Sequence, residues 1–281
     1  MTRYDVRDKV VVITGAGKGI GLATAKLLAG RGAHVAVLDV DAASAAAAAE
    51  SLGGTAIAHA VDVRDRAGTK AAVDAAAAHF GRVDVVIANA GIVPPAATLR
   101  TMDGADFDRV VGVNLTGVFN TVQPALEQII ANQGYVSIIA SAAAFAPGAG
   151  GAPYMISKSA VEQLGRALRI ELAPYGAAAG VVYFGVVETD MTHDTLDADE
   201  LGRELGAMLP WPLSRRISAD TAARVIADAV RDRAAQAIAP AGWDAYSMVR
   251  GAINVVVDRH LSRDKKVHSL VRRLEERNRR T

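Results

Sequence analysis

The residues of this 281-residue chain best placed to do chemistry are a phenol and an amine four positions apart, in Tyr154-Met155-Ile156-Ser157-Lys158. In a helix that spacing puts both side chains on one face. A free tyrosine titrates near about 10, so it exchanges protons poorly at neutral pH unless a neighbouring cation stabilises the phenolate. Taken alone, such a pair is commonplace on a protein surface. Ser141, at the end of a strand-like run, changes that reading, because the carboxyl ends of parallel strands border the ligand crevice and a hydroxyl there can hold a substrate oxygen.

A second group points to phosphate. Thr14-Gly15-Ala16-Gly17-Lys18-Gly19-Ile20-Gly21 is a glycine-rich turn between a strand and a helix, where the backbone can approach a pyrophosphate at the positive end of the helix dipole. Glycines alone are a weak signal and fit an ordinary loop. Asp39 follows the turn by about twenty residues, where a carboxylate accepts hydrogen bonds from a ribose. Together they favour a dinucleotide. Because Asp39 would repel a 2′-phosphate and Val40 brings no cation, the reading is NAD rather than NADP, with Lys18 as the counter-signal.

These residues need a scaffold, and the chain supplies one in alternation. Strand-like runs at 9–14, 33–38, 56–61, 83–88, 135–140 and 178–184 alternate with helical segments at 19–30, 42–52, 66–80, 102–131 and 154–172. Runs of nearly continuous Val, Ile and Ala indicate burial on both faces, as in a parallel sheet. The expected fold is a Rossmann-like, doubly wound α/β sheet in a single domain, 1–242, followed by a helical C-terminal extension, 243–281. The alanine run at 45–49 reads as a helix packed closely on the sheet, with Asp41 as N-cap and Gly53 past its end. After the sixth strand, 188–216 reads as a substrate lid with a short helix at 198–208, before a helix at 219–233 and a last strand at 238–240.

Composition removes several alternatives. The hydrophobic share of 51% is incompatible with a disordered chain, and a formal charge of +1 gives no global attraction to nucleic acid. Cysteine is absent, which excludes disulfides, thiolate nucleophiles and Cys-bound zinc; no metal site is expected. No apolar stretch is long enough to span a bilayer and no secretory signal is evident, so the expected location is cytoplasmic.

In this order the residues resemble the short-chain dehydrogenase/reductase family over about 9–191. Thr14, Gly15, Gly19 and Gly21 match its cofactor turn and Asp39 its ribose-binding acid. Asp62 before Val63 matches its adenine contact, and Asn89-Ala90-Gly91 the turn after its fourth strand. The catalytic Asn, Ser, Tyr and Lys match Asn114, Ser141, Tyr154 and Lys158. The resemblance implies Tyr154 as general acid/base, Ser141 holding the reacting oxygen, Lys158 lowering the Tyr154 pKa and binding the nicotinamide ribose, and Asn114 holding a water for proton exchange. It further implies Thr189 at the nicotinamide carboxamide, beside Gly185 and Met191. The family's usual Pro-Gly is here Phe184-Gly185, which relaxes the turn.

Expected substrate walls are Ala143, Phe145, Pro147, Val93, Met191, Leu205, Met208, Leu209 and Trp211, which suit an apolar alcohol or ketone of lipid-, steroid- or terpenoid-like character. No cationic cluster is expected in the pocket. The leading function is therefore an NAD-dependent secondary-alcohol dehydrogenase or ketone reductase. The alternatives are an NADPH-dependent 3-oxoacyl thioester reductase and a non-catalytic dinucleotide sensor or scaffold. A homodimer through the helices at 102–131 and 154–172 is implied, with a homotetramer less secure because the ending departs from the family. That ending, 258–281, holds nine basic and four acidic residues, and Val267, Leu270, Val271 and Leu274 give it an amphipathic helix. It would dock on the body or a sister subunit, contact an anionic membrane peripherally, or stay solvated.

Overall fold

The computed structural model describes residues 3–209 and 211–279, except for the side chain of Leu205. The first six strand-like runs become β1 (Val10–Thr14), β2 (His34–Asp39), β3 (Ala56–Ala60), β4 (Val85–Ala88), β5 (Tyr135–Ser141) and β6 (Ala178–Phe184). A last strand, β9 (Gln236–Ala239), completes a wholly parallel sheet in the order β3-β2-β1-β4-β5-β6-β9. A separate two-stranded sheet joins β7 (Val186–Glu188) to β8 (Arg216–Ser218) across the lid.

Helices cover both faces, as the unbroken apolar strands require. Alternate strand residues Val12, Leu38, Val86 and Val136 pack with α3 (Arg66–Phe80), α5 (Gly117–Val122) and α7 (Ala152–Leu172). Their neighbours Val11, Ile13, Val35 and Ile87 pack with α1 (Gly19–Ala29), α2 (Ala42–Leu52) and α10 (Ala219–Asp232) on the other face. The alanine run behaves as its pattern implies: Ala45, Ala48 and Ala49 are buried, and the Asp41 carboxylate accepts the Ser44 N–H at 3.0 Å.

The long helix expected over 102–131 is instead broken. It consists of α4 (Gly104–Val111), a π-helical turn over Gly112–Thr116, α5, and α6 (Leu126–Ala131). Two causes are visible. Pro124, between α5 and α6, has no N–H to continue the ladder, and the Asn114 side chain at the π turn is tied to the backbone of Ile92 on a neighbouring loop.

Past the one-turn α8 (Asp190–Thr192), the lid carries α9 (Glu200–Ala207), and the extension is two helices, α11 (Trp243–Leu261) and α12 (Lys265–Asn278). No described helix is long and apolar enough to cross a membrane. The amphipathic face of α12 is used within the molecule. Leu270 and Leu274 are buried against Leu201 of α9, with Ala96 alongside. Arg273 clasps Glu204 at 2.6 and 2.8 Å, Arg277 reaches Asp199 at 2.8 Å, and Glu275 receives hydrogen bonds from Thr98 and Arg100. One helix thus ties the lid to the loop after β4. Leu274→Asp should free this clamp, so hydrogen exchange is expected to speed up in α12, in α9 and around 96–100 together, with the sheet unchanged. Faster exchange confined to α12 would show that the lid holds itself.

Candidate active site

The site forms where the parallel strands end. Thr14, last in β1, is 1% exposed, and its hydroxyl accepts the N–H groups of Asn89 and Ala90, each at 3.2 Å. The Asn89 amide answers by donating to the carbonyls of Thr14 and Gly15 at 2.9 and 3.0 Å. These bonds lock the glycine-rich turn against the turn after β4. The crowding requires glycine: a Cβ on Gly21 would lie 2.2 Å from the Gly15 carbonyl oxygen, and one on Gly15, whose φ is +62°, 2.9 Å from Ala90.

Asp39, last in β2, closes the far side of the glycine-rich turn. Its carboxylate accepts the Gly17 N–H at 2.9 Å and the Asp41 N–H at 3.1 Å, and no cation pairs with it among the described residues. A Cβ on Gly17 would sit 2.9 Å from the same carboxylate oxygen, so this glycine lets the acid and the turn meet. Lys18 also borders the cleft; the Asp41 carboxyl is held below the usual range chiefly by the Ser44 N–H, with Lys18 adding its charge.

At the chemical end, α7 carries Tyr154 and Lys158 and β5 delivers Ser141. The Ser141 hydroxyl accepts the Ala143 N–H at 3.1 Å and donates to the Phe184 carbonyl at 3.2 Å. Lys158 is buried and donates to the Ile139 carbonyl at 2.9 Å, with its ammonium 5.6 Å from the centre of the Tyr154 ring. Burial lowers the Lys158 pKa to about 8. Burial also raises Tyr154 above its ordinary value, only partly offset by a hydrogen bond with Ser141. Desolvation therefore sets the direction for the phenol, and the Lys158 charge is not among its causes.

Asn114 holds the π turn open with both ends of its amide. It accepts the Ile92 N–H at 2.8 Å, and donates to the Ile92 carbonyl at 2.8 Å and to Ser157 at 3.1 Å. Ser157 passes the link on by donating to the Tyr154 carbonyl at 2.8 Å. The pocket-side edge is tight, since a Cβ on Gly91 would lie 3.4 Å from the Lys158 nitrogen and 3.5 Å from the Asn114 oxygen.

A cleft of about 490 Å³ joins the two ends. It is bordered by Gly15, Lys18, Gly19, Ile20, Asp39, Asp62, Val63, Asn89, Ala90, Gly91, Ser141, Tyr154, Lys158, Gly185, Thr189 and Met191. Thr14, Gly17, Gly21 and Asn114 support this lining from behind. Thr189 caps α8 and faces the turn, its methyl 3.8 Å from where a Gly19 Cβ would lie. Gly185 has a reason beyond the cofactor: its Cβ would strike Trp243 of α11 at 2.6 Å. The volume, the bare backbone of the turn and the free carboxylate all fit a dinucleotide.

Two expectations need correction. Among the proposed walls only Met191 borders the cleft; Phe145 is buried 4.7 Å from Tyr183 and beneath Arg250, while Trp211 is 80% exposed. The Leu205 side chain lies outside the described residues. The cleft also contains cations that were not expected, Arg64 and Arg109, each paired with an acid, Asp62 and Asp106. Arg64 stands beside Gly112 at the Asp62 end, away from the chemistry, and its place directly after Asp62-Val63 was the available signal.

The chain is similar to several known proteins. The model of the short chain dehydrogenase family matches residues 9–200. An uncharacterized short-chain type dehydrogenase/reductase of Sinorhizobium fredii is 38% identical over 203 residues, covering 69% of this chain and 80% of its own. A cis-4-hydroxycyclohexanecarboxylate dehydrogenase of Sinomonas cyclohexanicum is 37% identical over 66% of this chain and 75% of its own. The crystal structure of a 3-ketoacyl-(acyl-carrier-protein) reductase from Brucella melitensis complexed with NADH superposes with a TM-score of 0.74 at 31% identity, covering 85% and 99% of the two chains.

Thr14→Val keeps the shape of the side chain but leaves two part-buried N–H groups without this acceptor. Denaturant unfolding is expected to show a loss of about 1–3 kcal/mol; an unchanged midpoint would mean that the bonds between the two turns contribute nothing.

Proposed function

The chain belongs to the short-chain dehydrogenase family, and from that premise we propose an NAD-dependent oxidoreductase that interconverts a secondary alcohol and a ketone on an apolar substrate. The family supports the coarser part directly, an oxidoreductase acting on CH–OH groups with a nicotinamide dinucleotide. The observation that carries the finer reading is the single cleft bordered by Ser141, Tyr154 and Lys158 at one end and by the unpaired carboxylate of Asp39 at the other.

When bound, the nicotinamide supplies the hydride chemistry. In oxidation, Tyr154 takes the hydroxyl proton as the carbinol carbon gives up hydride; in reduction it returns that proton to the carbonyl oxygen. Ser141, oriented by Ala143 and Phe184, holds the oxygen. Lys158 supplies the positive charge that favours the phenolate, and Asn114 and Ser157 hold α7 against the Ile92 loop so that the phenol keeps its place. Ile92, Phe184, Val187 and Met191 give the cleft apolar walls, which support a substrate without a free charge.

Phe119, Ile156 and Ile170 are exposed on α5 and α7 and support a homodimer through those helices, and the expected location is the cytoplasm. A 3-oxoacyl thioester reductase is the second reading, favoured by Lys18 in the cleft and by the likeness to the Brucella reductase.

Tyr154→Phe should reduce turnover by at least about 10²-fold while NAD affinity stays within a few fold. With the wild type, oxidation should quicken and reduction slow as pH rises, because the first needs the phenolate and the second the phenol; retained activity in the variant would point to another proton donor. Asp39→Ala combined with Val40→Arg should shift kcat/KM toward NADP, and a wild type that already prefers NADP would refute the charge argument.

A further inference from the structure

The two C-terminal helices use their apolar residues differently. Those of α12 are buried on the lid, whereas α11 is apolar on two sides. Its inner side is firmly fixed: Trp243 is buried and donates to the Leu213 carbonyl at 3.2 Å, Arg250 forms a two-bonded pair with Glu162, and Asn254 donates to the Phe145 carbonyl at 2.7 Å. These contacts set the rotation of the helix. Met248, Val249, Ile253, Val255 and Val256 are consequently left outside, Met248 at 82% and Val256 at 68% exposure.

With the small Ala245 and Ala252, these residues fill a continuous sector of roughly 160° at about 100° per residue. That sector contains no acidic residue. Its charged or titratable members are Arg259 and His260, at its C-terminal end; Asp244 and Asp258 lie outside it, and Arg263, Asp264, Lys265 and Lys266 follow, with the Asp264 carboxylate turned inward on the Lys266 N–H as the N-cap of α12. Arg259, Arg263, Lys265 and Lys266 are all exposed and make no ion pair among the described residues, while Arg273 and Arg277 of the same extension are taken up by acids of the lid.

We infer that the outer face of α11 rests on an anionic lipid surface, with its apolar stripe at the headgroup boundary and the cluster from Arg259 to Lys266 against the lipid charge. An amphipathic helix lying in the interface combines these two features, and the basic residues answer to acidic headgroups. A second copy of the chain fits less well. A stable protein interface takes about 20–30 residues from each side, far more than this stripe offers, and an identical stripe brings no counter-charge to the cluster.

The test is co-sedimentation of the full chain with phosphatidylcholine vesicles, with and without phosphatidylglycerol, using cofactor binding as the folding control. Binding is expected only with phosphatidylglycerol, and it should weaken as salt rises. Met248→Glu with Val256→Glu should weaken it at least about tenfold. Lys265→Glu with Lys266→Glu should weaken it at least about 25-fold, since each basic residue contributes about fivefold. The proposal is overturned if the wild type ignores anionic vesicles, if it binds neutral ones equally, or if neither variant matters. It is equally overturned if the wild type fails to bind vesicles and instead forms an oligomer that Met248→Glu with Val256→Glu dissociates.

Discussion

Everything in the cleft depends on keeping a phenol and an amine together where water is scarce. Tyr154 and Lys158 are four residues apart on α7, and burial opposes the charged form of both, raising one pKa and lowering the other. The fold must therefore hold the pair in place against the cost of desolvation. Lys158 is held by the Ile139 carbonyl, and the backbone of Tyr154 by the Ser157 hydroxyl.

The rest of the fold serves that placement. Ser141 ends β5 beside Phe184 of β6, and the register Ser141 to Phe184 sets their hydrogen bond. The π turn at Asn114 and the hydroxyl of Ser157 tie α7 to the loop after β4, while Thr14 and Asn89 tie that loop to the phosphate turn. The two ends of the cleft thus share one network of backbone and side-chain bonds. The glycine retained in Phe184-Gly185 has a packing reason: the bare Gly185 admits Trp243, so this turn is packed by α11.

The strands, the α2 cap and the phosphate turn were legible in the sequence because they rest on local signals: unbroken Val and Ile runs, Asp41 and Gly53 around an alanine helix, glycines at fixed spacing; Asp62, Asn89 and Thr189 came through the family resemblance. What was not legible depends on distant partners. Nothing near Asn114 announces a π turn, because the backbone that its amide binds, that of Ile92, lies 22 residues away in the chain. Phe145 follows Ser141 and suits a substrate wall, yet Tyr183 and Arg250 draw it into the core. The apolar pattern of α11 runs around both sides of the helix, so periodicity alone could not say which side meets the body.

The central claim is tested most directly by a crystal structure of the protein with NAD and a secondary alcohol or its unreactive analogue. The account predicts the Tyr154 hydroxyl within hydrogen-bond reach of the substrate oxygen, about 2.6–3.2 Å, with Lys158 turned from Ile139 toward the nicotinamide ribose. A nicotinamide ring bound far from Tyr154, with another acid or base at the substrate oxygen, would contradict it.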